Sequence, residues 1–475
     1  MTDFTSMTIR ELACSFRRSS ASAVEVTKFF LDKIKRNNGD NFSFITVSDD
    51  LALDQARKAD ERIAKGEENL LLGVPGALKD NIMLKGVKCT AGSRSLSNYQ
   101  ASYDAHVVKK LKQEGSIILG KTNMDEFAMG SSTESSVFGL TRNPHDPSRV
   151  PGGSSGGSAV AVASGLCSFA IGSDTGGSIR QPAAFCGVVG LKTTYGSVSR
   201  RGLIAMASSL DQIGVFARKI DDAADVFEVI SGKDEFDSTS IDRSFSHKKV
   251  DIAKLRVGLP KEYFTDGMDK RIEAKIRSAI DSMAEAGIKV KEVSLPHTDY
   301  ALPVYYIIMP SEVSSNMGRY DGLRYGFSDD SVGDMVGSYF TNRGKSFGPE
   351  VKRRIILGTY VLSAGYKEAY YQRACAVRLL IKDDFTKAFN DVDIIVTPTC
   401  PTLPFKIGEK VEDPLSMYLS DMFTVTANLA GLPALSMPCG KIDGLPVGIQ
   451  IIGQPFEENT ILEVGKAFEE LWNSK

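Results

Sequence analysis

The chain has 475 residues, 42% of them hydrophobic and 24% charged, enough to bury a large core and long for one domain. Its net charge of −2 excludes a general nucleic-acid footprint, so any RNA it serves is expected to be held mainly by another protein. Seven scattered cysteines form no CxxC pair, which excludes a disulfide or zinc framework; no apolar run approaches the ~20 residues of a membrane span, and the N-terminal stretch has no apolar h-region. The expectation is a cytoplasmic chain without a metal site.

Ser22 and Glu25 form a capping-box pattern ahead of Val26, Phe29, Phe30 and Ile34 at helical spacing, and Asn37, Asn38 and Gly39 are read as the end of that helix. A short strand is expected from Phe42 to Val47. A second helix is capped by Asp50, carries Leu51, Ala56, Ala59 and Ile63, and stops near Gly66. Leu71 to Asp80, with Asn81 and Ile82, reads as a buried strand with a Gly/Pro break and Lys79 at its polar end. A helix from Asp104 to Glu114 is closed by Gly115, and Ser116 to Leu119 is a further strand. Alternating strands and helices predict an α/β class whose sheet is covered on both faces.

Gly115 to Thr122 fits the pattern G-x-x-x-x-G-K-[ST] of a phosphate loop. Such a loop needs a strand before it and a helix after it, whereas here a helix precedes and large aliphatics fill the middle. It is read as a helix stop followed by a core strand.

Residues 151–182 carry two Gly/Ser clusters, Gly152 to Ser158 and Asp174 to Ser178, around a small apolar segment, a pattern of turn, helix, turn. Three uses compete: a flexible linker, a phosphate cradle and a serine nucleophile facing an oxyanion hole. The apolar segment disfavours the linker, and no phosphate-loop lysine follows either cluster. The third reading fits best, with the N–H groups of Thr175, Gly176, Gly177 and Ser178 aimed at a developing oxyanion. A serine needs a base. His106, His145, His247 and His297 lie in no motif, and Lys79, after the apolar run from Val74 to Leu78, is placed to be desolvated and neutral.

Beyond residue 231 the stretch to Asp251 is polar and reads as a linker. Leu255 to Leu259 is a strand, and Ile272, Ile276, Ala279, Ile280 and Met283 mark a helix that Gly287 ends. Ile288 to Leu295 and Asp393 to Thr397 are strands, and Leu435 to Cys439 with Val447 to Ile452 form a hairpin across residues 440–446. This continues the α/β pattern, so the linker need not separate independent domains.

Gly152 to Ser158, followed by Asp174 to Pro182, resembles the amidase signature family, whose members use a Ser–cisSer–Lys triad. The resemblance implies one large α/β/α domain over residues 1–475 with a central mixed β-sheet. Its expected parts are an N-terminal helical segment (about 1–65), a signature core (about 70–220), the linker (about 231–251) and a C-terminal half completing the same sheet. It implies Ser178 as nucleophile, Ser154 as the bridging serine after a cis bond from Gly153, and Lys79 as the base. Arg180 and Asp174 are read as braces for the loop.

Longer stretches (Lys121 to Glu134, Arg149 to Gly157, Ser208 to Gly214, Phe347 to Tyr371 and Asp413 to Gly440) resemble the glutaminase subunits of tRNA-dependent amidotransferases. That implies ammonia release from glutamine for conversion of Glu-tRNA(Gln) to Gln-tRNA(Gln), and in some complexes of Asp-tRNA(Asn) to Asn-tRNA(Asn). The implied partners are two further subunits, of B and C type, in a heterotrimer. ATP, Mg2+ and most contacts to the misacylated tRNA belong to those partners, and this chain needs no cofactor. Arg354 matches the position that holds the glutamine carboxylate, and Asp421 the position that holds its amino group. Ser131 and Ser197 depart from the family pattern, standing where glycine or a basic residue is common. The alternatives are a stand-alone amidase acting on another small amide and an inactive scaffold; the intact Lys79, Ser154 and Ser178 argue against the scaffold.

Overall fold

The computed structural model describes residues 3–473 except 244, 246, 266, 330 and 332. Among the described residues eleven strands form one mixed sheet. They are β1 (Phe44–Val47), β2 (Pro75–Lys79), β3 (Ile117–Thr122), β4 (Phe169–Asp174), β5 (Val189–Lys192), β6 (Gln212–Ala217), β7 (Arg256–Pro260), β8 (Lys289–Val293), β9 (Ile394–Pro398), β10 (Ala434–Ile442) and β11 (Leu445–Gly453). Their order across the sheet is β1-β3-β2-β4-β6-β5-β10-β11-β9-β7-β8. The β3-β2-β4 and β9-β7-β8 neighbours run parallel, and the pairs between them are antiparallel.

Strands β2 to β6, β9 and β11 are buried along their whole length, as their nearly continuous apolar sequences require, while the edge strand β8, rich in Lys and Glu, is largely exposed. Ala77, Ile117, Leu119 and Ala170 pack with the helices Ile9–Arg17, Ala23–Asn41 and Asp49–Ala64 on one side. Leu78, Ile118, Ile171 and Val215 pack with His106–Glu114 and Ile220–Ile230 on the other. The alternation of adjacent residues between two cores is the period of two expected of strands.

Residues 231–251 form no helix or strand among those described, as the composition predicts. They join no separate body: β5 pairs with β10 and carries one sheet through both halves. Gly115 adopts φ +83° as the helix stop, and β3 follows it, fully buried. The phosphate-loop match is thus a core strand.

Four expectations need correction. Of the strand expected from Leu71, only Pro75–Lys79 is extended, and the second helix begins at Asp49 with Ser48, not Asp50, as its N-cap. The helix from Ala23 continues to Asn41, past the Asn37 to Gly39 stop. Asn38 does not end it because its side chain docks on β1, accepting from the Phe44 N–H at 2.8 Å and donating to the Phe44 carbonyl at 3.0 Å. The segment between the Gly/Ser clusters holds a strand as well as a helix: Gly156–Ala163 is helical, and β4 then leads into the second cluster.

Candidate active site

Lys79 ends β2, and Ser173 lies one residue before the end of the neighbouring parallel strand β4. This pairing brings together residues 94 positions apart. Lys79 Nζ lies 2.9 Å from Ser173 Oγ, 3.3 Å from the Ser173 carbonyl and 2.8 Å from Ser154 Oγ. All three partners are uncharged. Lys79 and Ser154 have no solvent exposure, while Ser178 retains 8%. Burial lowers the Lys79 pKa to about 7 against the more distant pull of Asp125, Asp174 and Asp211.

Ser154 follows a cis peptide bond from Gly153. Gly153 donates its N–H to Gln181 Oε1 at 2.8 Å. A Cβ on Gly153 would stand 2.1 Å from Asp125 Oδ2, so only glycine lets the turn lie against that carboxylate. Asp125 in turn folds residues 132–135 around itself, accepting from the Thr133 N–H and the Ser135 hydroxyl, each at 2.9 Å.

Ser178 lies between β4 and the helix Arg180–Cys186. The loop is tied down by Asp174, which accepts from the N–H groups of Gly177 (2.8 Å) and Ile179 (3.1 Å) and from Asn428 Nδ2 (2.8 Å). Burial would raise the Asp174 pKa, but the Arg180 guanidinium at 3.0 Å overrides it and holds the group at about 2. Arg180 also donates to Gln450 Oε1 (2.6 Å), the Thr424 carbonyl (2.8 Å) and Asn428 Oδ1. Arg180 and Asp174 thus brace the loop, as read from the sequence.

The four-donor oxyanion expectation is too generous. The Gly177 N–H is already given to Asp174. Those of Thr175, Gly176 and Ser178 donate to no acceptor among the described residues. Thr175 is fixed by its hydroxyl, which donates to Asp211 Oδ1 at 2.7 Å. Burial raises the Asp211 pKa to about 6. Gly177 also cannot carry a side chain: φ is +141°, and a Cβ would lie 2.2 Å from Thr424 Oγ1. That hydroxyl donates to the Gly176 carbonyl at 2.6 Å, joining the loop to the segment that carries Asp421.

The first link of the expected relay, Lys79 to Ser154, is formed. No hydrogen bond joins Ser154 to Ser178 among the described residues. The four histidines lie elsewhere: His106 and His297 face Asp234 and Asp384, His247 faces Asp225, and His145 bonds the Cys186 carbonyl.

Arg354 and Asp421 are both buried, at 3% and 8% exposure. Arg354 donates from Nε to Glu350 Oε1 at 2.7 Å, and its guanidinium lies 5.6 Å from the ring centres of both Tyr306 and Tyr418. Asp421 Oδ2 accepts from the Ser131 hydroxyl at 2.7 Å. Burial raises the Asp421 pKa to about 7, partly offset by Ser131 and the Arg354 charge. A cavity of about 220 Å³ opens beside Arg354, lined also by Glu350, Tyr418, Ser132, Asp125 and Lys410; Asp421 and Ser178 are not among its lining residues.

Sequence reading missed Ser173, Asn81, Asp211, Thr424, Asn428 and Gln450, and it gave Ser131 no role. Asn81 Nδ2 holds Ser173 Oγ at 3.0 Å. The available signals were the polar residues bordering β2 and β4, and Asp211 within Ser208 to Gly214.

The profile of the Amidase family matches residues 25–462. The chain is 55% identical to the A subunit of glutamyl-tRNA(Gln) amidotransferase from Carboxydothermus hydrogenoformans, covering 98% of this chain and 97% of that one. It is 53% identical to the protein of the same name from Thermoanaerobacter pseudethanolicus, covering 98% and 96%. The crystal structure of the glutamyl-tRNA(Gln) amidotransferase A subunit from Thermotoga maritima superposes with a TM-score of 0.82 at 41% identity, covering 99% and 96%. With a family match over nearly the whole chain and relatives above half identity at full coverage, this chain belongs to the amidase family.

Proposed function

We propose that this chain is the glutamine-hydrolysing subunit of a tRNA-dependent amidotransferase, with Lys79, Ser154 and Ser178 as its triad. The observation that carries the reading is the buried Lys79 amine, lowered to about 7, at 2.8 Å from Ser154 and beside the Ser178 loop. A general base works best with a pKa near the operating pH. The names and full-length similarity of the relatives support the substrate assignment.

In the proposed reaction Arg354 binds the glutamine carboxylate and Asp421 its ammonium. The incoming ammonium restores charge to Asp421, whose carboxylate burial otherwise disfavours. Ser178 Oγ attacks the side-chain amide carbon. Its proton passes through the Ser154 hydroxyl to Lys79, with Ser154 turning toward Ser178 as the substrate seats. The carbonyl oxygen becomes an oxyanion facing the N–H groups of Thr175, Gly176 and Ser178. Lys79 returns the proton through Ser154 to the departing nitrogen, and ammonia leaves. Water then attacks the acyl-enzyme, Lys79 takes its proton by the same route, and glutamate is released as Ser178 is reprotonated.

In this reading ammonia passes to a B-type subunit that activates Glu-tRNA(Gln), or Asp-tRNA(Asn), with ATP and Mg2+, a C-type subunit completing the heterotrimer. The test is ammonia release from L-glutamine by the chain alone and with its native partners, with Ser178→Ala as control. Serine-dependent release that rises with partners and charged tRNA is expected. Serine-dependent hydrolysis of other amides without glutamine turnover would instead make it a stand-alone amidase.

A further inference from the structure

Arg354 is carried by the helix Pro349–Leu362, and two contacts of different kinds fix that helix. In its middle, Gly358 packs directly on the helix Ala301–Asn316; a Cβ there would stand 1.8 Å from the Pro310 carbonyl oxygen. At its start, the N-cap residue Gly348 has no side chain to satisfy the first N–H groups. The cap comes from elsewhere in the chain: Glu126 Oε2 accepts from the Gly348 N–H at 2.8 Å. Its other oxygen accepts from the Ser93 hydroxyl at 2.5 Å. Only 1% of Glu126 is exposed. Gly348 leaves room for this approach, since a Cβ would lie 2.4 Å from Glu126 Oε2. The next residue adds an apolar contact, with the Phe127 and Phe347 ring centres 5.7 Å apart and edge to face.

Glu126 follows Asp125, whose carboxylate shapes residues 132–135, and the same loop presents Ser131 to Asp421. One short segment therefore touches both halves of the candidate glutamine site. Its Asp125 side organises the loop facing Asp421, and its Glu126 side fixes the start of the helix bearing Arg354. Glu126 does not line the cavity.

We propose that Glu126 is a positioning residue for glutamine, holding the start of the helix Pro349–Leu362 so that Arg354 meets the substrate carboxylate in register with Asp421. The inference rests on the glutaminase reading. It gives Glu126 a role in substrate binding and none in the proton relay.

The experiment compares steady-state glutamine hydrolysis by the full chain and by Glu126→Ala, Glu126→Gln and Ser93→Ala, in backgrounds with and without Arg354→Ala. Loss of the Glu126 hydrogen bond at the helix start predicts a rise of about tenfold in the glutamine KM of Glu126→Ala, with kcat within about twofold. The Glu126→Gln side chain keeps a carbonyl oxygen for the Gly348 N–H, so this variant restores most of the affinity. Ser93→Ala gives a smaller rise and covers the case in which Glu126→Ala fails to fold. In the Arg354→Ala background, Glu126→Ala adds little, because both changes remove the same contact. An unchanged KM, a full further rise in the Arg354→Ala background, or a fall in kcat at constant KM would each overturn the proposal. If the wild-type chain shows no Ser178-dependent glutamine turnover, the glutaminase reading fails and the inference falls with it. Normal wild-type turnover with an indifferent Glu126→Ala defeats the inference alone.

Discussion

Two fully buried lysines stand on adjacent strands of the same sheet and end in opposite states. Lys79 closes β2, and Lys121 lies on β3, where it pairs in register with Leu78. Strand alternation therefore sends the two side chains to opposite faces. It also sends Asp80, next to Lys79 in sequence, toward Lys121, and the two form an ion pair at 3.1 Å. Burial lowers the pKa of both amines. At Lys121 the Cys89 and Asp80 side chains outweigh that effect and raise it. At Lys79 the bonded partners are hydroxyls and a carbonyl, so burial prevails and the pKa settles at about 7. Burial alone does not set the direction of the shift; whether a carboxylate is directly bonded to the buried amine does.

The largest effect expected from breaking this contrast is on catalysis. Lys79→Met removes the proposed base and should lower kcat by about 10²- to 10⁴-fold with the fold retained, read by glutamine turnover and circular dichroism. Near-normal turnover in that variant would defeat the relay. The matching change on the other face acts on stability instead. Lys121→Met strands a buried Asp80 charge and should cost about 3–5 kcal/mol, measured by denaturant unfolding. An Asp80→Asn/Lys121→Met pair should recover part of that loss.

A subtler change converts one lysine into the likeness of the other. Ser173→Asp places a carboxylate beside Lys79 Nζ, where the serine hydroxyl stands at 2.9 Å. The Lys79 pKa should rise, and glutamine turnover at neutral pH should fall while recovering at higher pH. A pH–rate profile identical to wild type would show that the Ser173 position does not set the ionisation of Lys79.

The same ionisation also acts on stability against pH. Lys79 is lowered to about 7 in the folded chain against an ordinary value of 10.5, so between those values the unfolded chain binds more protons. Stability from this group therefore rises as pH climbs through that window. Lys192, also lowered to about 7 by burial, acts in the same direction. The Lys79→Met chain should thus show a shallower rise than wild type across pH 7 to 10.5 in parallel denaturant melts.

Much of this was legible in the residues. The Gly/Ser clusters, the apolar run ahead of Lys79 and the glycine after Glu114 each specify local backbone, and local structure follows them. What pairing in space creates was not legible. Ser173 reaches Lys79 only because β2 and β4 are parallel neighbours, and Asp80 turns away from Lys79 only through the pleat. The Gly177 N–H reads as an oxyanion donor in sequence, but in the fold the Asp174 carboxylate accepts from it. In the C-terminal half, the helices Met335–Ser346 and Pro349–Leu362 expose Met335, Phe340 and Ile356 at 73%, 70% and 69%. Apolar residues on both faces of such helices blur the 3.6-residue period that sequence reading depends on. Arg354 is therefore legible through the family resemblance and not through helical periodicity.

The central claim, that Lys79 is a neutral amine near physiological pH, is open to direct observation. Titration of the lysine side-chain 13Cε and 15Nζ resonances, with Lys79 assigned by its absence in Lys79→Met, reads the ionisation itself. A Lys79 midpoint near 7, with Lys121 still charged, is the result predicted here. A Lys79 resonance that remains that of an ammonium up to about pH 10, the range of an ordinary lysine, would contradict it.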